Sequence, residues 1–384
     1  MEPDGAPVLL GWLRERTPAM VELLERLARA ESPSDDVAAQ QEAFAILDEL
    51  LVGLGFTTER IAGDERGDHL LARRDGASGP NQLLLGHLDT VWPVGTLERM
   101  PVETRDGALY GPGVFDMKGG LVQMLFALRG LAETGIEPAC DPVILINADE
   151  ELSSPESRDH IVALASEAAR VFVMEPSAGP TGSLKTARKG VGRFSLTVRG
   201  VASHAGLAPE AGRSAILEVS HQIQSLFALN DPARGVTVNV GTVDGGLRPN
   251  VVAPEVVAEV ETRVVTADDA TRVEEHIRGL EPVTEGVTLE VEGGFRRPPL
   301  ERTPRNRVLW EQARTAAGEL GIEIDEALVG GASDGNLASA QAATLDGLGA
   351  VGDGAHADHE HVIVERMPER AALLGTLLAA EVRE

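Results

Sequence analysis

The sequence of 384 residues is poor in cysteine, lysine and aromatic side chains. Its single cysteine, Cys140, excludes an intrachain disulfide, so nothing in the sequence requires an oxidising compartment. Lysine occurs only at Lys118, Lys185 and Lys189, a compositional bias that carries no functional information. No run of 18 apolar residues is present, so we expect no membrane-spanning helix.

Positive charge is also scarce, and the formal net charge at pH 7 is −27. A surface of this sign repels phosphate backbones, so we expect no nucleic-acid partner and no membrane partner. The N-terminal stretch MEPDGAPVLLGWLRERT is acidic and lacks the basic and apolar regions of a signal peptide. These absences predict a cytoplasmic protein.

The residues that are present predict two globular domains of the α/β class. Hydrophobic residues make up 43% of the chain and charged residues 25%, the balance of a folded protein. Apolar strands over 82–86, 142–148 and 170–174 alternate with helices such as 120–133. This alternation predicts a parallel or mixed sheet that is covered on both faces.

The pattern changes near residue 188, where strands begin to alternate between apolar and polar positions. The order there is β-α-β-β-α-β, which is typical of a ferredoxin-like unit. We therefore predict an α+β domain over 188–297, inserted into an α/β domain that comprises 1–187 and 298–384.

A histidine and an aspartate, His87 and Asp89, stand two residues apart in GHLDTV, directly after the first strand. Residues i and i+2 of an extended chain point to the same side. One could therefore bind a metal while the other accepts the second N–H of the imidazole. A lone His-x-Asp pair is structural as often as it is functional, and the motif alone does not decide.

Three acidic segments follow, and each also allows an ordinary interpretation. Asp116, in GPGVFDMKGG, precedes a predicted helix and could bind a metal or only cap the helix. Glu150 and Glu151, in ADEE, follow an apolar strand, where neighbouring carboxylates are costly unless a cation or solvent neutralises them. Glu175, in MEPS, ends the next strand and by itself could be a plain loop residue.

A histidine-rich segment, DGAHADHEHV, contains His356, His359 and His361. It could supply a metal ligand or form a surface cluster. Combined with the carboxylates, one such histidine completes a mixed nitrogen and oxygen donor set, which suits zinc and, to a lesser extent, cobalt or manganese. Two metals that share a bridging carboxylate would lie about 3.5–4 Å apart.

Taken in order, these motifs resemble the M20 zinc metallopeptidases, and within them the glutamate carboxypeptidase branch. Related members include acetylornithine deacetylase, succinyl-diaminopimelate desuccinylase and aminoacylase. The resemblance rests on GHLDTV, GPGVFDMKGG, ADEE, MEPS and the late Gly354-x-His356-x-x-x-Glu360, and it spans nearly the whole chain. It implies a catalytic domain with two Zn2+ ions, or Co2+ or Mn2+ in their place.

The resemblance also implies a role for each side chain of the metal centre. Glu150 would be the general base that takes a proton from a metal-bridged water and passes it to the leaving amine. The other implied roles are His87 and Glu175 as ligands of one metal, Glu151 and His356 as ligands of the other, Asp116 as the bridge and Asp89 as the partner that orients His87.

The inserted domain resembles the lid and dimerisation domain of that family, which implies a homodimer. His204 in ASHAG would stabilise the oxyanion, and Asn250 and Arg263 would hold the substrate, Arg263 by its carboxylate. An arginine on the surface of a strand edge is the alternative for Arg263. Gly331 and Ser333 in VGGASDGN match a loop near the substrate carboxylate.

These roles imply hydrolysis of an amide bond next to a free carboxylate, which releases a C-terminal, glutamate-like amino acid from a small peptide or an N-acyl amino acid. Ser183 stands where relatives of the glutamate branch carry a lysine, which weakens the case for glutamate. An N-acyl-amino-acid deacylase is the alternative. A non-catalytic binding protein on the same fold is disfavoured, because Glu150 and every implied ligand are present.

Overall fold

The computed structural model describes residues 5–76 and 79–383. Its α-helices are α1 (Gly5–Arg14), α2 (Thr17–Arg29), α3 (Gln40–Gly53), α4 (Gly119–Thr134), α5 (Arg158–Glu167), α6 (Ala215–Phe227), α7 (Ala267–Arg278), α8 (Pro304–Glu319), α9 (Asp334–Ser339) and α10 (Met367–Ala379). None of these helices combines the length and the apolar character needed to cross a membrane.

The strands, numbered in chain order, complete this description. They are β1 (Thr57–Ile61), β2 (His69–Arg73), β3 (Asn81–His87), β4 (Glu103–Arg105), β5 (Ala108–Tyr110), β6 (Asp141–Asn147), β7 (Ala168–Val173), β8 (Leu184–Arg188), β9 (Gly190–Arg199), β10 (Thr237–Gly245), β11 (Glu255–Val264), β12 (Thr288–Arg297), β13 (Glu326–Val329), β14 (Thr344–Leu345), β15 (Gly352–Asp353) and β16 (His361–Ile363).

The described residues divide into two compact units. The inserted unit comprises Arg188–Glu301 together with Gly330–Ala332, and the main unit comprises the rest. The inserted unit is slightly larger than the predicted 188–297 for two reasons. Leu300 exchanges backbone hydrogen bonds of 2.9 and 3.1 Å with Arg188, and the Arg263 guanidinium donates to the Gly330 carbonyl at 3.0 Å.

The main unit is built on a six-stranded sheet in the order β1-β2-β6-β3-β7-β14. The pairs β6–β3, β3–β7 and β7–β14 are parallel, whereas β1–β2 and β2–β6 are antiparallel. This is the mixed sheet that the sequence predicts. The α/β fold class is therefore confirmed.

Apolar runs form the central strands because both faces of this sheet are covered. Leu84 belongs to the core under α1, α4 and α10, whereas Leu83 and Leu85 belong to the core under α5 and α9. The middle positions of such a strand are buried on both faces, so they form a continuous apolar run. Gly120 lets the start of α4 approach the end of β7, since a Cβ there would lie 2.0 Å from the Met174 carbonyl oxygen.

A second sheet of the main unit, in the order β15-β16-β5-β4, is small and was not expected from the sequence. Its strands have two or three residues, too few to show a periodic pattern. The antiparallel pair β16–β5 places the loop before β16 beside the loop after β5. Both of these loops carry predicted metal ligands.

The inserted unit is an antiparallel sheet in the order β10-β11-β9-β12 with α6 and α7 packed against it. The chain order of these elements is the predicted β-α-β-β-α-β, and the unit has a hydrophobic core of its own. Alternate residues of β9 are buried, as expected for a sheet covered on one face.

Candidate active site

Four of the predicted site residues lie at one edge of the main sheet. His87 is the last residue of β3, Glu150 and Glu151 follow β6, and Glu175 follows β7. The three strands are parallel neighbours, so their carboxyl ends meet at the same edge. The sheet itself therefore brings these side chains together.

Asp116 and His356 reach the same place from the small sheet. Asp116 follows β5, and His356 lies in the loop between β15 and β16. The His356 backbone has a φ of 60°, in the left-handed region that non-glycine residues seldom adopt. This conformation belongs to the tight turn that presents the imidazole.

The His87 side chain is almost completely buried, with 1% of its surface exposed. Its Nδ1 lies 2.9 Å from the Asp89 backbone carbonyl, which leaves the Nε2 lone pair to face acidic groups. Nε2 lies 3.4 Å from Asp116 Oδ1 and 3.5 Å from Glu175 Oε1, yet it makes no hydrogen bond among the described residues. Nε2 therefore faces two carboxylate oxygens without a hydrogen bond to either.

The His356 side chain is half exposed, at 51%. Its Nε2 lies 3.1 Å from Glu151 Oε2 and 3.5 Å from Asp116 Oδ2. Asp116 thus directs one oxygen toward His87 and the other toward His356. A carboxylate with its two oxygens on two separate donor groups is placed as a bridging ligand would be.

The protonation of this cluster shows how strongly its charges depend on one another. Hydrogen bonds with Asp116 and Glu151 raise the pKa of His356 to about 10. Burial alone would raise the pKa of Asp116, but both histidines lower it well below its usual value. Burial raises the pKa of Glu151. Without another cation, protons on the histidines must balance the carboxylates.

Asp89 acts on three parts of the site. Its backbone carbonyl is the atom closest to His87 Nδ1, and its Oδ1 lies 3.4 Å away, so the predicted orienting role falls first to the carbonyl. Its carboxylate accepts the backbone N–H groups of Glu150 and Glu151, at 3.3 and 3.2 Å, and the Ser34 hydroxyl at 2.7 Å. Asp89 therefore also fixes the turn that carries the predicted base.

The donor set fits two divalent cations. One group of donors is His87, Glu150 and Glu175, another is His87, Asp116 and Glu151, and within each group the donor atoms lie within 4.8 Å of one another. Several carboxylates converging in a buried space repel one another unless cations lie between them. Nε2 of His87, which is buried and makes no hydrogen bond among the described residues, lies where a cation would be bound.

Two side chains of the site were not predicted to have a role there. The Glu360 carboxylate is buried and accepts the Asp116 backbone N–H at 3.0 Å. Burial raises the pKa of Glu360 to about 7, although its hydrogen bonds lower it. Lys185 places its Nζ 4.0 Å from Glu175 Oε2. Glu360 had a sequence signal in its fixed distance from His356, and Lys185 lies two residues after Ser183, the position that matches a lysine of the glutamate branch.

A buried polar network supports the loop that carries Glu150 and Glu151. The Asp334 carboxylate accepts Asn147 Nδ2 at 2.7 Å and the Ser154 hydroxyl. Asp149 accepts the Ser157 hydroxyl at 2.5 Å and its backbone N–H at 3.0 Å. Ser154 has a φ of 54°, so the hydrogen bond of its side chain holds a tight left-handed turn directly after the two glutamates.

The predicted substrate residues of the inserted unit fall into two groups. His204 and Asn250 lie on paired segments, since the Ala205 N–H donates to the Asn250 carbonyl at 3.0 Å. His204 Nδ1 accepts the N–H groups of Gly206 and Leu207 at 3.1 and 3.2 Å. This leaves the proton on Nε2, which would be the donor for an oxyanion.

The second group surrounds the segment Gly330–Ala332. Arg263 donates to the Gly330 carbonyl at 3.0 Å and to Glu261 Oε1 at 3.0 Å, and Arg188 donates to the Gly331 carbonyl at 3.1 Å. Ser333 belongs to the main unit and is fully buried. Its hydroxyl donates to Asp346 at 2.6 Å and accepts the Gly335 N–H, so the side chain caps α9.

Known proteins are similar to this chain both in sequence and in fold. The profile of peptidase family M20/M25/M40 matches residues 83–380. Carboxypeptidase G2 of Pseudomonas sp. (strain RS-16) is 29% identical over 382 residues, which cover 97% of this chain and 91% of that protein. Succinyl-diaminopimelate desuccinylase of Delftia acidovorans is 29% identical over 368 residues, covering 90% and 93%.

A solved structure shows the same architecture at lower identity. It is the YXEP protein of Bacillus subtilis, a dinuclear metal-binding peptidase of family M20. Its TM-score is 0.70 at 14% identity, with 94% of this chain and 97% of that chain covered, a likeness that concerns the fold. The family profile spans most of the chain and every loop that carries a predicted ligand. The chain therefore belongs to peptidase family M20/M25/M40 and is a metal-dependent hydrolase of that family.

Proposed function

We propose that the protein hydrolyses an amide bond next to a free carboxylate and releases a C-terminal, glutamate-like amino acid from a small peptide or an N-acyl amino acid. The observation that carries the proposal is the convergence of His87, Asp116 and His356 with three glutamates in one site. Glu150 is the glutamate to which the family resemblance gives the role of general base, and it lies in one donor group with His87 and Glu175. A carboxylate beside a metal pair suits that role.

We assign His87 and Glu175 to one cation, Glu151 and His356 to the other, and Asp116 to both. Zinc suits this donor set, with cobalt or manganese as substitutes. When bound, the cations would activate a water and polarise the scissile carbonyl. Glu150 would then take the proton of the attacking water and deliver it to the leaving amine. Asp89 would keep the turn of Glu150 in place through its N–H contacts.

The decisive test compares the wild-type protein with Glu150→Gln after loading with zinc. The glutamine keeps the shape of the side chain but cannot accept a proton, so we expect kcat to fall by about 10³-fold. Metal content, measured by mass spectrometry after dialysis, should stay at two ions per chain. Glu285→Gln, a change in the inserted unit, is the matched control and should leave kcat unchanged.

The substrates for this test should distinguish the release of a C-terminal amino acid from the deacylation of an N-acyl amino acid. A first set consists of N-benzoyl amino acids and dipeptides with a free C-terminal carboxylate, each paired with its C-terminal amide. Hydrolysis of the free acids alone would support recognition of the carboxylate. Equal turnover of the amides, or full activity of Glu150→Gln, would contradict the proposal.

A second candidate is an N-acyl-amino-acid deacylase of the acetylornithine or succinyl-diaminopimelate type. Its support is the 29% identity to a desuccinylase and the serine at position 183. N-acetylornithine and N-succinyl diamino acids therefore form the second set of substrates. Faster turnover of this set than of the benzoyl amino acids would favour the deacylase.

We assign the inserted unit to substrate binding and to a homodimer. For Arg263→Ala we expect KM to rise by about tenfold or more for free acids but not for amides, because a bidentate contact with the carboxylate is lost.

The outer strand β10 and helix α6 expose Val243, Ile216 and Leu217, which suits an interface between two copies. A mass of one chain by light scattering at micromolar concentration would contradict the dimer. The cytoplasmic location stays a prediction.

A further inference from the structure

Glu360 combines nearly complete burial with four hydrogen-bond donors on a single carboxylate. Oε2 accepts the Trp92 indole N–H at 2.8 Å and the Gly113 N–H at 2.9 Å. Oε1 accepts the N–H groups of Phe115 and Asp116 at 2.9 and 3.0 Å. Only 1% of the residue is exposed, so these donors replace water almost entirely.

The backbone of the loop after β5 is shaped to supply these donors. Gly113 has a φ of 72°, and a Cβ there would lie 2.6 Å from Thr90 Cγ2. This left-handed turn helps to point the N–H groups of Gly113, Phe115 and Asp116 at one place, much as in an anion-binding nest. Here the anion is a side chain of the protein. The N–H of Asp116 itself is one of the donors.

The donors and the acceptor come from three segments, each of which carries a proposed ligand. Trp92 follows His87 by five residues, Asp116 is itself the proposed bridge, and Glu360 follows His356 by four residues. The Gly111 N–H also donates to the Glu360 backbone carbonyl, at 3.2 Å. Through this one residue the loop of His356 is tied to the loop of Asp116.

We propose that Glu360 is a positioning residue that fixes Asp116 and His356 relative to each other and so sets the spacing of the two metal positions. This inference rests on the proposed dinuclear centre. Groups that hold the ligands of a metal without touching it commonly change metal affinity by about 10- to 100-fold when they are removed. Glu360 holds the backbone of the ligand that is shared by both metals.

If Glu360 only stabilised the fold, its replacement would lower the melting temperature without changing the metal affinity. A second buried glutamate provides a matched control. Glu218 in the inserted unit is also buried, and its carboxylate accepts the N–H groups of Val283 and Thr284 at 3.0 and 2.6 Å. Glu218→Gln and Glu360→Gln therefore make the same chemical change. In each variant a buried carboxylate that accepts backbone N–H groups with both oxygens becomes an amide. The amide oxygen can still accept, but the amide nitrogen cannot.

The experiment titrates the metal-free wild-type protein and both variants with Co2+, followed by calorimetry and by the visible absorption of the bound ion. We expect both variants to unfold at a lower temperature. Only Glu360→Gln should bind Co2+ roughly 10- to 100-fold more weakly and with an altered spectrum. An unchanged affinity and spectrum in Glu360→Gln would overturn the proposal.

Two further results keep the outcomes distinct. If the wild-type protein binds fewer than two Co2+ ions, the dinuclear centre itself is wrong, whatever Glu360 does. If Glu360→Gln does not fold, Trp92→Phe decides, because it removes one donor and leaves the carboxylate in place. We expect several-fold weaker binding in Trp92→Phe, and unchanged binding would then count against the role of Glu360.

Discussion

The two halves of the proposed metal centre differ in burial, although both include Asp116. The imidazole of His87 is 1% exposed and stands at the end of a central strand, with Lys185 close to its partner Glu175. The imidazole of His356 is 51% exposed and stands on a left-handed turn. The half with His87 therefore belongs to the buried core, whereas the half with His356 lies at its solvent-exposed edge. We therefore expect the first to bind metal tightly and the second to exchange it.

The variants His87→Ala and His356→Ala test this difference between the two halves most directly. Without His87, buried carboxylates lose their partner, which should cost about 3 kcal/mol of stability and both metals. Without His356, solvent can hydrate Glu151, so we expect one ion to remain and the melting temperature to fall less than in His87→Ala. Metal content and thermal unfolding measure both effects. Equal losses in the two variants would contradict the comparison.

A smaller effect is expected when the support of the half-exposed side is weakened. Asp334→Asn replaces the acceptor of Asn147 and Ser154, which should cost about 2 kcal/mol. The turn that carries Glu151 then loosens, and the second Co2+ should bind several-fold more weakly than in the wild-type protein. Asp269→Asn, a buried aspartate that accepts from Arg234 and Arg272 in the inserted unit, is the control. Equal loss of the first and second ion would not fit this picture.

The smallest effect is a dependence on pH. In the metal-free protein the pKa of His356 is raised from 6.5 to about 10 by Asp116 and Glu151. A raised pKa stabilises the folded state fully below pH 6.5, and this contribution is lost as the pH rises toward 10. We expect the melting temperature of the metal-free protein to fall over this range, and to fall less in His356→Ala.

The same protonation shift predicts how metal binding responds to pH. A cation must displace the proton of His356, so the apparent Co2+ affinity should rise by about tenfold per pH unit between pH 6.5 and 8.5. Calorimetry in buffers of different ionisation enthalpy measures the released protons. A pH-independent affinity would show that His356 is not a ligand.

The sequence predicted the His87 half of the site more securely than the His356 half. His87 ends a strand with an apolar centre, and Glu150 and Glu175 follow two more such strands, so both the strands and these side chains are visible in the sequence. The small sheet that positions His356 has strands of two or three residues and leaves no pattern. Only the fixed spacing from Gly354 to Glu360 selected His356 among its neighbours.

The sequence predicts a domain boundary near residue 188 because the periodicity of the strands changes there, and the structure has a compact unit of Arg188–Glu301 with Gly330–Ala332. The segment Gly330–Ala332 was not predicted, since its place depends on hydrogen bonds from Arg188 and Arg263, which are remote in sequence. Ser333 shows the same limit. Its motif marked it as a contact for substrate, whereas its hydroxyl is buried against Asp346.

The sequence by itself determined the fold class and the order of the elements in the inserted unit, and it predicted which side chains would bind metal, because apolar periodicity and the chemistry of donor groups are local properties. Tertiary structure alone decided that Asp116 stands between His87 and His356, and that Glu360 holds the backbone of Asp116. Such contacts join residues up to 244 positions apart, and their geometry is fixed by strand pairing and burial, which no single segment encodes.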